Sequence, residues 1–453
     1  MKPLLFITLS ALAACGTGAA TAQSVAAPEP GPGGTAPESV PATDAAEARR
    51  VIDDAALNQD PDAAKRRIGS LFERHGEAQL PADESPLKLY GSLRIHAIRN
   101  GTEVSGEDQG SGFSLGDGGS RIGARLQHTF GQATAMFGRL EAGFNILDVF
   151  SSNASSGDDG EHRALNPRLY YVAFDSPYAY ASYGKNWSTY YQVAGTTDRF
   201  AAFGGDTSGV FNAGTDGGAS GTGRADEVLQ TRLYVDAFGK LPIKPFNLNM
   251  QYQHGQPIPL VEGADFGNQF GASARLETEA GWGLGVAYNQ SQIDDLKSPQ
   301  VVSAGLDGDD RALALSTSWS GEHWNASLVW SRQDNHATND QNLYVDGRGV
   351  ELYAQWEFHP RWWLVAGGNW FKADNQDPQA GRYEVDRKII GLHRTIDSFH
   401  RMVYVEYQLN DGSGFDGDRS DDELALGIRW DFGYGKHRIL EVYDTLLEKT
   451  KER

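Results

Sequence analysis

The feature that most constrains this chain is a two-residue period of apolar and polar side chains that begins at Leu87. Through residues 87–97 the odd positions are Leu, Gly, Ile or Ala, and the even positions are Lys, Tyr, Ser, Arg or His. Successive side chains of a β-strand point to opposite faces, so such a strand has one apolar and one polar face. The chain has no run of roughly 18 apolar residues, and this excludes a helical membrane protein.

The composition excludes further classes of protein. The 453 residues carry a formal net charge of −20 and include a single cysteine. One cysteine excludes a disulfide scaffold, and the acidic balance would repel nucleic acid. The aromatic and aliphatic content is too high for a disordered polyanion. If the chain spans a membrane, the remaining solution is a closed β-barrel, in which every backbone polar group is paired within the protein.

The same period recurs often enough to close a barrel. It predicts sixteen strands, near 87–99, 119–130, 133–145, 168–175, 179–187, 229–239, 246–254, 269–278, 283–291, 311–319, 324–333, 349–358, 362–371, 386–395, 400–409 and 423–432. The even number is typical of bacterial transmembrane barrels.

The connections between these strands alternate between long segments rich in Gly, Asp and Asn and short turns such as 131–132, 320–323 and 359–361. Aromatic residues flank the short turns, namely Phe130, Phe174, Tyr178, Phe238, Phe246, Trp319, Trp324, Phe358, Trp362, Trp363, Phe399 and Phe432. Long outer loops, short inner turns and an aromatic girdle characterise transmembrane barrels. A soluble β-sandwich also has many short strands, but it is not expected to segregate aromatics and loop lengths by end.

The N-terminus predicts export. Residues 1–22 have a basic start, an apolar run and small residues, as a signal peptide does. Two cleavage sites compete: the Ala20-Thr21-Ala22 sequence before Gln23, and a lipobox-like sequence before Cys15, the candidate lipidation site.

Residues 23–85 are predicted to form a Pro-, Ala- and Gly-rich linker followed by two short amphipathic helices between about 45 and 74. We expect this segment to be a partly ordered periplasmic spacer; the alternative is a helical element that self-associates or contacts the cell wall.

Several motifs resemble those of the trimeric general-diffusion porins of Gram-negative outer membranes, over roughly 87–432. They are Leu89-Tyr90-Gly91, Ser120-Arg121-Ile122-Gly123, Tyr183-Gly184-Lys185-Asn186, Thr197-Asp198, Phe203-Gly204-Gly205-Asp206-Thr207 and the stretch from Asp421 to Phe432. The resemblance implies an all-β, 16-stranded antiparallel transmembrane β-barrel over residues 86–432. It also implies a third loop that folds into the barrel and narrows the pore.

The resemblance also implies which residues form the pore constriction. Arg121, Lys185 and Arg224 would form a basic cluster on the wall, with Arg224 just before the sixth strand, and Asp198 and Asp206 would be their acidic counterparts on the third loop. Opposed charges across a narrow aqueous passage orient polar solutes. The strand register adds Arg94, Arg125 and Arg139 as candidate pore-wall residues. Gly427, Trp430 and Phe432 match the signal that the barrel-assembly machinery reads.

The sequence departs from the family in three places. Ser92 and Ala202 stand where enterobacterial members have a lysine and a glutamate, so we expect a weaker transverse field and a wider constriction. Residues 433–453 extend past Phe432 and suggest an amphipathic helix.

These observations predict an outer-membrane porin for passive diffusion of small hydrophilic solutes and ions, without enzymatic activity, cofactor or metal. The expected partners are two further copies in a homotrimer, outer-membrane lipid and lipopolysaccharide, and the barrel-assembly machinery, with no nucleic acid. The second external loop, about 146–167, would contact a neighbouring subunit.

Two alternatives remain: a porin selective for anions or sugars, favoured if the basic wall or Tyr190 and Tyr191 form a binding track, and a structural protein that tethers the membrane to the cell wall.

Overall fold

The computed structural model describes residues 87–100, 112–130, 134–147, 165–176, 178–235, 246–278, 280–374, 383–396, 401–414 and 421–434. The predictions for the signal peptide, Cys15, residues 23–85 and residues 435–453 lie outside these ranges. No helix among the described residues is long and apolar enough to cross a membrane.

The described residues form seventeen strand segments in one antiparallel sheet. They are β1 (Leu87–Asn100), β2 (Ser114–Asp117), β3 (Arg121–Phe130), β4 (Thr134–Gly143), β5 (Asn166–Asp175), β6 (Ala179–Trp187), β7 (Arg224–Val235), β8 (Phe246–His254), β9 (Phe266–Glu277), β10 (Trp282–Ile293), β11 (Asp310–Ser320), β12 (Trp324–Thr338), β13 (Tyr344–His359), β14 (Trp362–Ala373), β15 (Glu384–Thr395), β16 (Arg401–Asn410) and β17 (Glu423–Tyr434). Two short helices, α1 (Tyr191–Ala194) and α2 (Pro299–Ser303), lie in connections.

The seventeen segments occupy sixteen positions around a closed barrel. Both β2 and β3 pair with β1, β2 at Ile95–Ile98 and β3 at Leu87–Ser92, so they are two halves of one interrupted strand. The first and last strands also pair with each other, from Leu89 opposite Tyr434 to Asn100 opposite Glu423. The predicted 16-stranded closed antiparallel barrel is therefore confirmed.

The apolar face of the sheet points outward and the polar face inward. On β4, Leu140 is 64% exposed, whereas Arg139 and Glu141 on either side of it are 7% and 6% exposed. A soluble protein shows the opposite arrangement, because it buries apolar side chains and exposes charged ones. An apolar exterior around a polar interior is the pattern of a barrel surrounded by lipid.

Among the aromatics of the predicted girdle, Phe174, Tyr178, Trp324, Phe358 and Phe432 are exposed, whereas Phe238 and Phe399 lie outside the described residues. Trp324 follows the 320–323 turn, and its ring stacks on that of Trp356 at a centroid distance of 5.1 Å. Tyr178 and Trp282 border two further short connections and are 81% and 54% exposed. Amphipathic rings of this kind prefer the membrane–water interface.

Three strand boundaries lie about five residues from their predicted positions. Arg224 is the first residue of β7 and does not precede that strand. In addition, β12 continues to Thr338 and β13 begins at Tyr344, about five residues beyond each predicted end. The β12 extension contains polar residues and a register irregularity between Gln333 and Ala337, so its sequence resembles a loop although its backbone is paired.

The outward orientation of Leu315, at the centre of β11, leads to a prediction. Leu315→Arg should lower the free energy of unfolding in lipid bilayers by about 2–4 kcal/mol, because a charge at the middle of the lipid-facing surface loses its hydration. Reversible denaturant unfolding in vesicles measures this, with Leu315→Ala as the control for lost side-chain volume. Equal destabilisation by the two variants would contradict the assignment of Leu315 to the lipid face.

Candidate functional site

The connection between β6 and β7, residues 188–223, is held by side chains from distant strands; we call it the third connection. One anchor is Glu351 on β13, whose side chain is fully buried. Its carboxylate accepts hydrogen bonds from the backbone N–H groups of Thr207 and Ser208, both at 2.7 Å, and from the Thr197 hydroxyl at 2.5 Å. A buried carboxylate is stable only when such donors replace its hydration.

Glu406 on β16 is a second, fully buried anchor. The backbone N–H groups of Ala201 and Ala202 donate to its two oxygens at 2.7 and 2.8 Å, and that of Phe203 donates at 3.3 Å. On the neighbouring strand, His393 Nε2 lies 2.8 Å from the same carboxylate. Ala202, where the family has a glutamate, is thus attached to the wall through its backbone.

Amide side chains from β8 to β12 bind carbonyl groups of the third connection. Five donor–acceptor pairs do this: Gln253 to Gly218 at 2.8 Å, Gln269 to Ala219 at 2.6 Å, Asn289 to Ser220 at 2.8 Å, Gln251 to Gly221 at 2.6 Å and Gln333 to Thr207 at 2.8 Å. These bonds give carbonyl groups of the segment donors from the barrel strands. Together with Glu351 and Glu406 they attach the segment to strands from β8 to β16.

Small residues allow the third connection to approach the strands closely. A Cβ atom on Gly349 of β13 would lie 1.8 Å from the Thr207 carbonyl oxygen, so no larger residue fits there without a shift of the backbone. Nearby, Val193 of α1 packs in an apolar cluster with Ala287, Ala312 and Val329 from β10–β12. Hydrogen bonds and apolar contacts therefore fix the same segment.

The two acidic residues predicted on this segment have different partners. Asp206 forms an ion pair with Arg387 of β15. Asp198 accepts a hydrogen bond from the Tyr191 hydroxyl at 3.3 Å and interacts electrostatically with Arg94 and Arg224. Burial raises the pKa of Asp198, and the hydrogen bond from Tyr191 offsets only part of that shift. Of the two, Asp198 is the one directed toward the predicted basic residues.

Lys185 and Arg224 converge on shared carboxylates. Lys185 Nζ lies 3.0 Å from Asp216 and 2.5 Å from Asp226, and Arg224 Nε lies 3.1 Å from Asp216. Burial opposes ionisation of Asp216, but the positive charges of Arg224 and Lys185 outweigh it and lower the pKa. The two predicted basic residues are thus largely neutralised by acids that the sequence did not single out.

A special backbone conformation precedes Lys185. Gly184 has φ +127°, in a region that side chains rarely allow, and a Cβ atom there would lie 2.2 Å from the Tyr170 carbonyl oxygen. The β6–β7 register is irregular immediately after Gly184. The Tyr-Gly-Lys-Asn motif therefore marks a local distortion that precedes the Lys185 ion pairs.

A second group of charges, which we call the basic wall, lies on β1, β3, β5 and β17. It consists of Arg94, Arg121, Arg168 and Arg429, and both Arg94 and Arg121 interact electrostatically with each of the other three. Arg94 and Arg429 are directly opposite in the β1–β17 pairing, and Arg121 is opposite Ser92, whose hydroxyl accepts from Arg94 Nε at 3.0 Å. Like charges directly opposite across strands repel each other.

Carboxylates compensate only part of the basic wall. Asp431 accepts from Arg429 Nε at 2.7 Å, and Glu141 accepts from Arg168 Nε at 3.0 Å. Glu141 is shared with Arg139, which lies 3.1 Å from it. Among the described residues, Arg94 Nη2 is buried without a hydrogen-bond partner.

Arg125 and Arg139, the other register-based candidates, also lie on the buried polar face. Arg139 donates to the Tyr90 hydroxyl at 2.7 Å in addition to its pair with Glu141. The Arg125 guanidinium lies 3.9 Å from the centroid of the Phe137 ring, in a cation–π contact. Both are therefore engaged by wall side chains.

Comparison with known proteins supports the interpretation of this barrel. No protein-family model matches the chain. It is similar to Outer membrane porin protein OmpD of Citrobacter koseri, with 26% identity over 368 residues that cover 77% of this chain and 92% of the relative.

Two solved structures share the fold. Salmonella typhi OmpF in complex with daunomycin has a TM-score of 0.62 and 18% identity, covering 76% of this chain and 97% of that one. The trimer form of OmpT of Vibrio cholerae has a TM-score of 0.51 and 14% identity, covering 76% and 99%.

The chain is thus similar over about three quarters of its length to Gram-negative outer-membrane porins. It is located in the outer membrane, and its barrel is a passive diffusion channel without enzymatic activity. In this porin the predicted charges fall into two groups: Lys185 and Arg224 share Asp216, whereas Arg121 joins Arg94 on the basic wall.

Several charged residues of the porin were missed in the sequence. Arg429 lies on the same face of β17 as Gly427 and Asp431, because alternate residues of a strand share a face. Counting alternate positions along the predicted strand would therefore have identified it. Arg168 is two residues from the outward-facing Tyr170, so simple alternation would place it on the outward face as well. A β-bulge shifts the β4–β5 register beside Arg168 and allows its contact with Glu141. No local signal identifies Glu351, Glu406 or Arg387, because their partners are distant in sequence.

The residues of the predicted assembly signal occupy both faces of β17. Trp430 and Phe432 are 51% and 39% exposed, and their rings meet edge to face at 6.4 Å. Gly427 lies beneath the Tyr404 ring, which a Cβ atom would approach to 2.3 Å. Recognition of these residues by the assembly machinery stays a prediction.

The Glu351 anchor leads to a second prediction. Glu351→Gln should weaken the bonds to Thr207 and Ser208, because an amide oxygen is a weaker acceptor than a carboxylate and its NH₂ group cannot accept. Hydrogen exchange of the Thr207 and Ser208 amides should accelerate by about 10-fold.

Glu277→Gln on β9 is the matched control, since Glu277 pairs with Arg275 on the wall. Unchanged exchange in Glu351→Gln, or equal acceleration in the control, would contradict the anchoring role of Glu351.

Proposed function

We propose that small hydrophilic solutes and ions cross this porin between the third connection, folded into the barrel, and the basic wall. The observation that carries the proposal is the distribution of anchors. The third connection binds side chains of strands from β8 to β16, and the basic wall lies on β17, β1, β3 and β5. The strands that carry the basic wall are thus strands that do not anchor the third connection. The aqueous passage runs along these strands.

The contribution of each charged residue to this constriction depends on whether an opposite charge already neutralises it. Arg121 and Arg94 supply its positive side, and Asp198 supplies its negative side, since Asp198 interacts electrostatically with Arg94. Asp206 is paired with Arg387 and contributes less. Lys185 and Arg224 shape the wall chiefly as partners of Asp216. The transverse field is therefore carried by fewer free charges than the sequence motifs imply.

Vesicle swelling in solutions of neutral sugars tests the proposed passage. Vesicles containing the porin should swell fast with monosaccharides and progressively more slowly with longer oligosaccharides, because the third connection limits the width. Protein-free vesicles are the control. A folded porin that admits no monosaccharide would contradict the proposal.

Ala202→Glu provides a third prediction. Restoring the acidic side chain should narrow the passage and reduce single-channel conductance in planar bilayers. Ala202→Gln, of matched volume, separates the steric effect from the effect of charge on ion selectivity. Unchanged conductance and selectivity in both variants would show that residue 202 lies outside the constriction.

A homotrimer is the second part of the proposal. It is supported by the family and by the fold shared with the trimer form of Vibrio cholerae OmpT. The second external loop is the proposed contact, although most of it, residues 148–164, lies outside the described residues. Conductance steps that occur in groups of three in planar bilayers would support the trimer. Single conductance steps from a monodisperse monomer would contradict it.

The alternative of a sugar track on Tyr190 and Tyr191 is not favoured. Tyr190 is fully buried and its hydroxyl donates to the Ser208 carbonyl at 2.8 Å. Tyr191 stacks on Trp187 at 3.9 Å and uses its hydroxyl to bind Asp198. The tethering alternative depends on residues 23–85, outside the described ranges.

A further inference from the structure

A fully buried histidine links the third connection to the barrel wall. His336 on β12 and Asp310 on β11 are both 0% exposed. His336 Nδ1 lies 2.8 Å from Asp310 Oδ1, and His336 Nε2 lies 2.8 Å from the backbone carbonyl oxygen of Gly209. The imidazole ring therefore bridges β11 and the third connection through its two nitrogen atoms.

A distortion of β12 turns His336 into the barrel. From Ala326 to Asp334 the even-numbered residues are exposed or half-buried and the odd-numbered residues are buried, so simple alternation would place His336 on the outward face. Asn335 has φ +52°, in the left-handed region, and the β12–β13 register shifts between Gln333 and Ala337. Both Asn335 and His336 are consequently buried. A bulge of this kind re-aims a side chain, and such irregularities are enriched at functional positions.

The two contacts of His336 require a proton that it shares with Asp310. A carbonyl oxygen only accepts hydrogen bonds, so Nε2 must carry a hydrogen in order to bond Gly209. The contact between Nδ1 and the carboxyl group needs a second hydrogen. This hydrogen lies either on Nδ1 of an imidazolium or on Asp310 itself. In both arrangements the pair holds one proton more than a neutral histidine beside a carboxylate.

The surroundings of the pair favour retention of this proton. Within the described part of the chain, Asp310 Oδ2 is buried without a hydrogen-bond partner, and His336 is the cation that acts on this carboxyl group. The other ionisable groups in electrostatic contact with Asp310 are Asp309, Tyr190 and Tyr344, and none of them brings a positive charge. Loss of the proton would leave a buried negative charge without compensation, which is costly in a protein interior.

Removal of the proton at alkaline pH breaks one of the two contacts. A neutral imidazole carries a single hydrogen, on Nδ1 or on Nε2. A hydrogen on Nδ1 keeps a charge-assisted bond to the Asp310 carboxylate, and such bonds are roughly twice as strong as bonds between neutral groups. Nε2 then presents a lone pair to the Gly209 carbonyl oxygen, and the two repel each other. The contact that is lost is therefore the one to the third connection.

We infer that one proton shared by His336 and Asp310 holds the third connection at Gly209, and that loss of this proton at alkaline pH releases the segment there. His336 and Asp310 are thus positioning residues that act on the third connection and not on the solute. A consequence for ion flow rests on the proposed passage: if the third connection borders it, the conductance of the porin changes between neutral and alkaline pH. The proton-dependent link itself does not depend on that passage.

Isotope-edited NMR of the histidine nitrogens, recorded on the whole chain in bilayers, measures the proton directly. The His336 signals are assigned by their absence in His336→Gln. We expect Nε2 of wild type to carry a hydrogen at neutral pH, and the hydrogen of the neutral ring to lie on Nδ1 at alkaline pH.

Asp310→Asn separates the proton from the hydrogen bonds. The introduced NH₂ group donates to His336 Nδ1, which leaves the ring hydrogen on Nε2 for Gly209, so both bonds persist without a titrating proton. At alkaline pH the Thr207 and Ser208 amides, which precede Gly209, should be about 10-fold less protected against hydrogen exchange in wild type than in Asp310→Asn, the loss of one hydrogen bond. At neutral pH the two proteins should be equally protected.

His323→Gln is the matched control, because His323 also lies beside a carboxylate, 3.5 Å from Glu357, but belongs to the exposed 320–323 turn. This variant should keep the wild-type dependence of protection on pH.

Two outcomes would overturn the inference. One is a His336 ring without a hydrogen on Nε2 at neutral pH. The other is equal protection of wild type and Asp310→Asn at alkaline pH, which is read without His336→Gln. Failure of the proposed passage would look different: protection would fall as expected, while the single-channel conductance of wild type would match that of Asp310→Asn at both neutral and alkaline pH.

Discussion

The structure depends on the pairing of every backbone polar group within a surface that faces lipid. An open sheet edge in hydrocarbon would leave unpaired N–H and C=O groups, each costing several kcal/mol. The pairing of β1 with β17 removes that edge. Once the sheet is closed, its two faces meet different solvents, and the alternation of apolar and polar residues along each strand follows from this difference.

Closure creates a second problem, because a barrel of sixteen strand positions encloses more space than its wall side chains fill. In the proposed passage, the third connection fills part of this interior. Its backbone is bound by carboxylates on β13 and β16 and by amides from β8 to β12, so a segment whose only helix is the short α1 is attached to the strands at many points. The same carboxylates are consumed by these bonds, and this leaves the arginines on the other side with few counter-charges.

The barrel could be predicted from the sequence because its signal is local. The period of two is visible within each strand, and the aromatic residues at the short turns are adjacent to the strands they delimit. Predictions failed where pairing continued through polar residues, as at the end of β12, and where backbone irregularities alter the contacts of a side chain, as for Arg168 beside its bulge.

The electrostatics of the site were harder to predict than its residues. The resemblance proposed Arg121, Lys185, Arg224, Asp198 and Asp206 as constriction residues, and these stay predictions, but it did not name their ion-pair partners. Thr197 and Glu351 are 154 positions apart in the chain, and Asp206 and Arg387 are 181 apart. Whether a charge is free or neutralised depends on such long-range pairs. These pairs cannot be inferred from a single sequence, because the two residues come together only in the folded barrel.

The central claim is that the arginine-bearing face of β3 lines a water-filled passage and the opposite face contacts lipid. Arg121 and Ile122 are adjacent, 7% and 49% exposed, and lie on opposite faces. In a Cys15→Ala background, Arg121→Cys and Ile122→Cys would be exposed to an anionic thiosulfonate during single-channel recording. The account predicts a stepwise change of conductance for position 121 and none for position 122; no change at position 121, or equal changes at both positions, would contradict it.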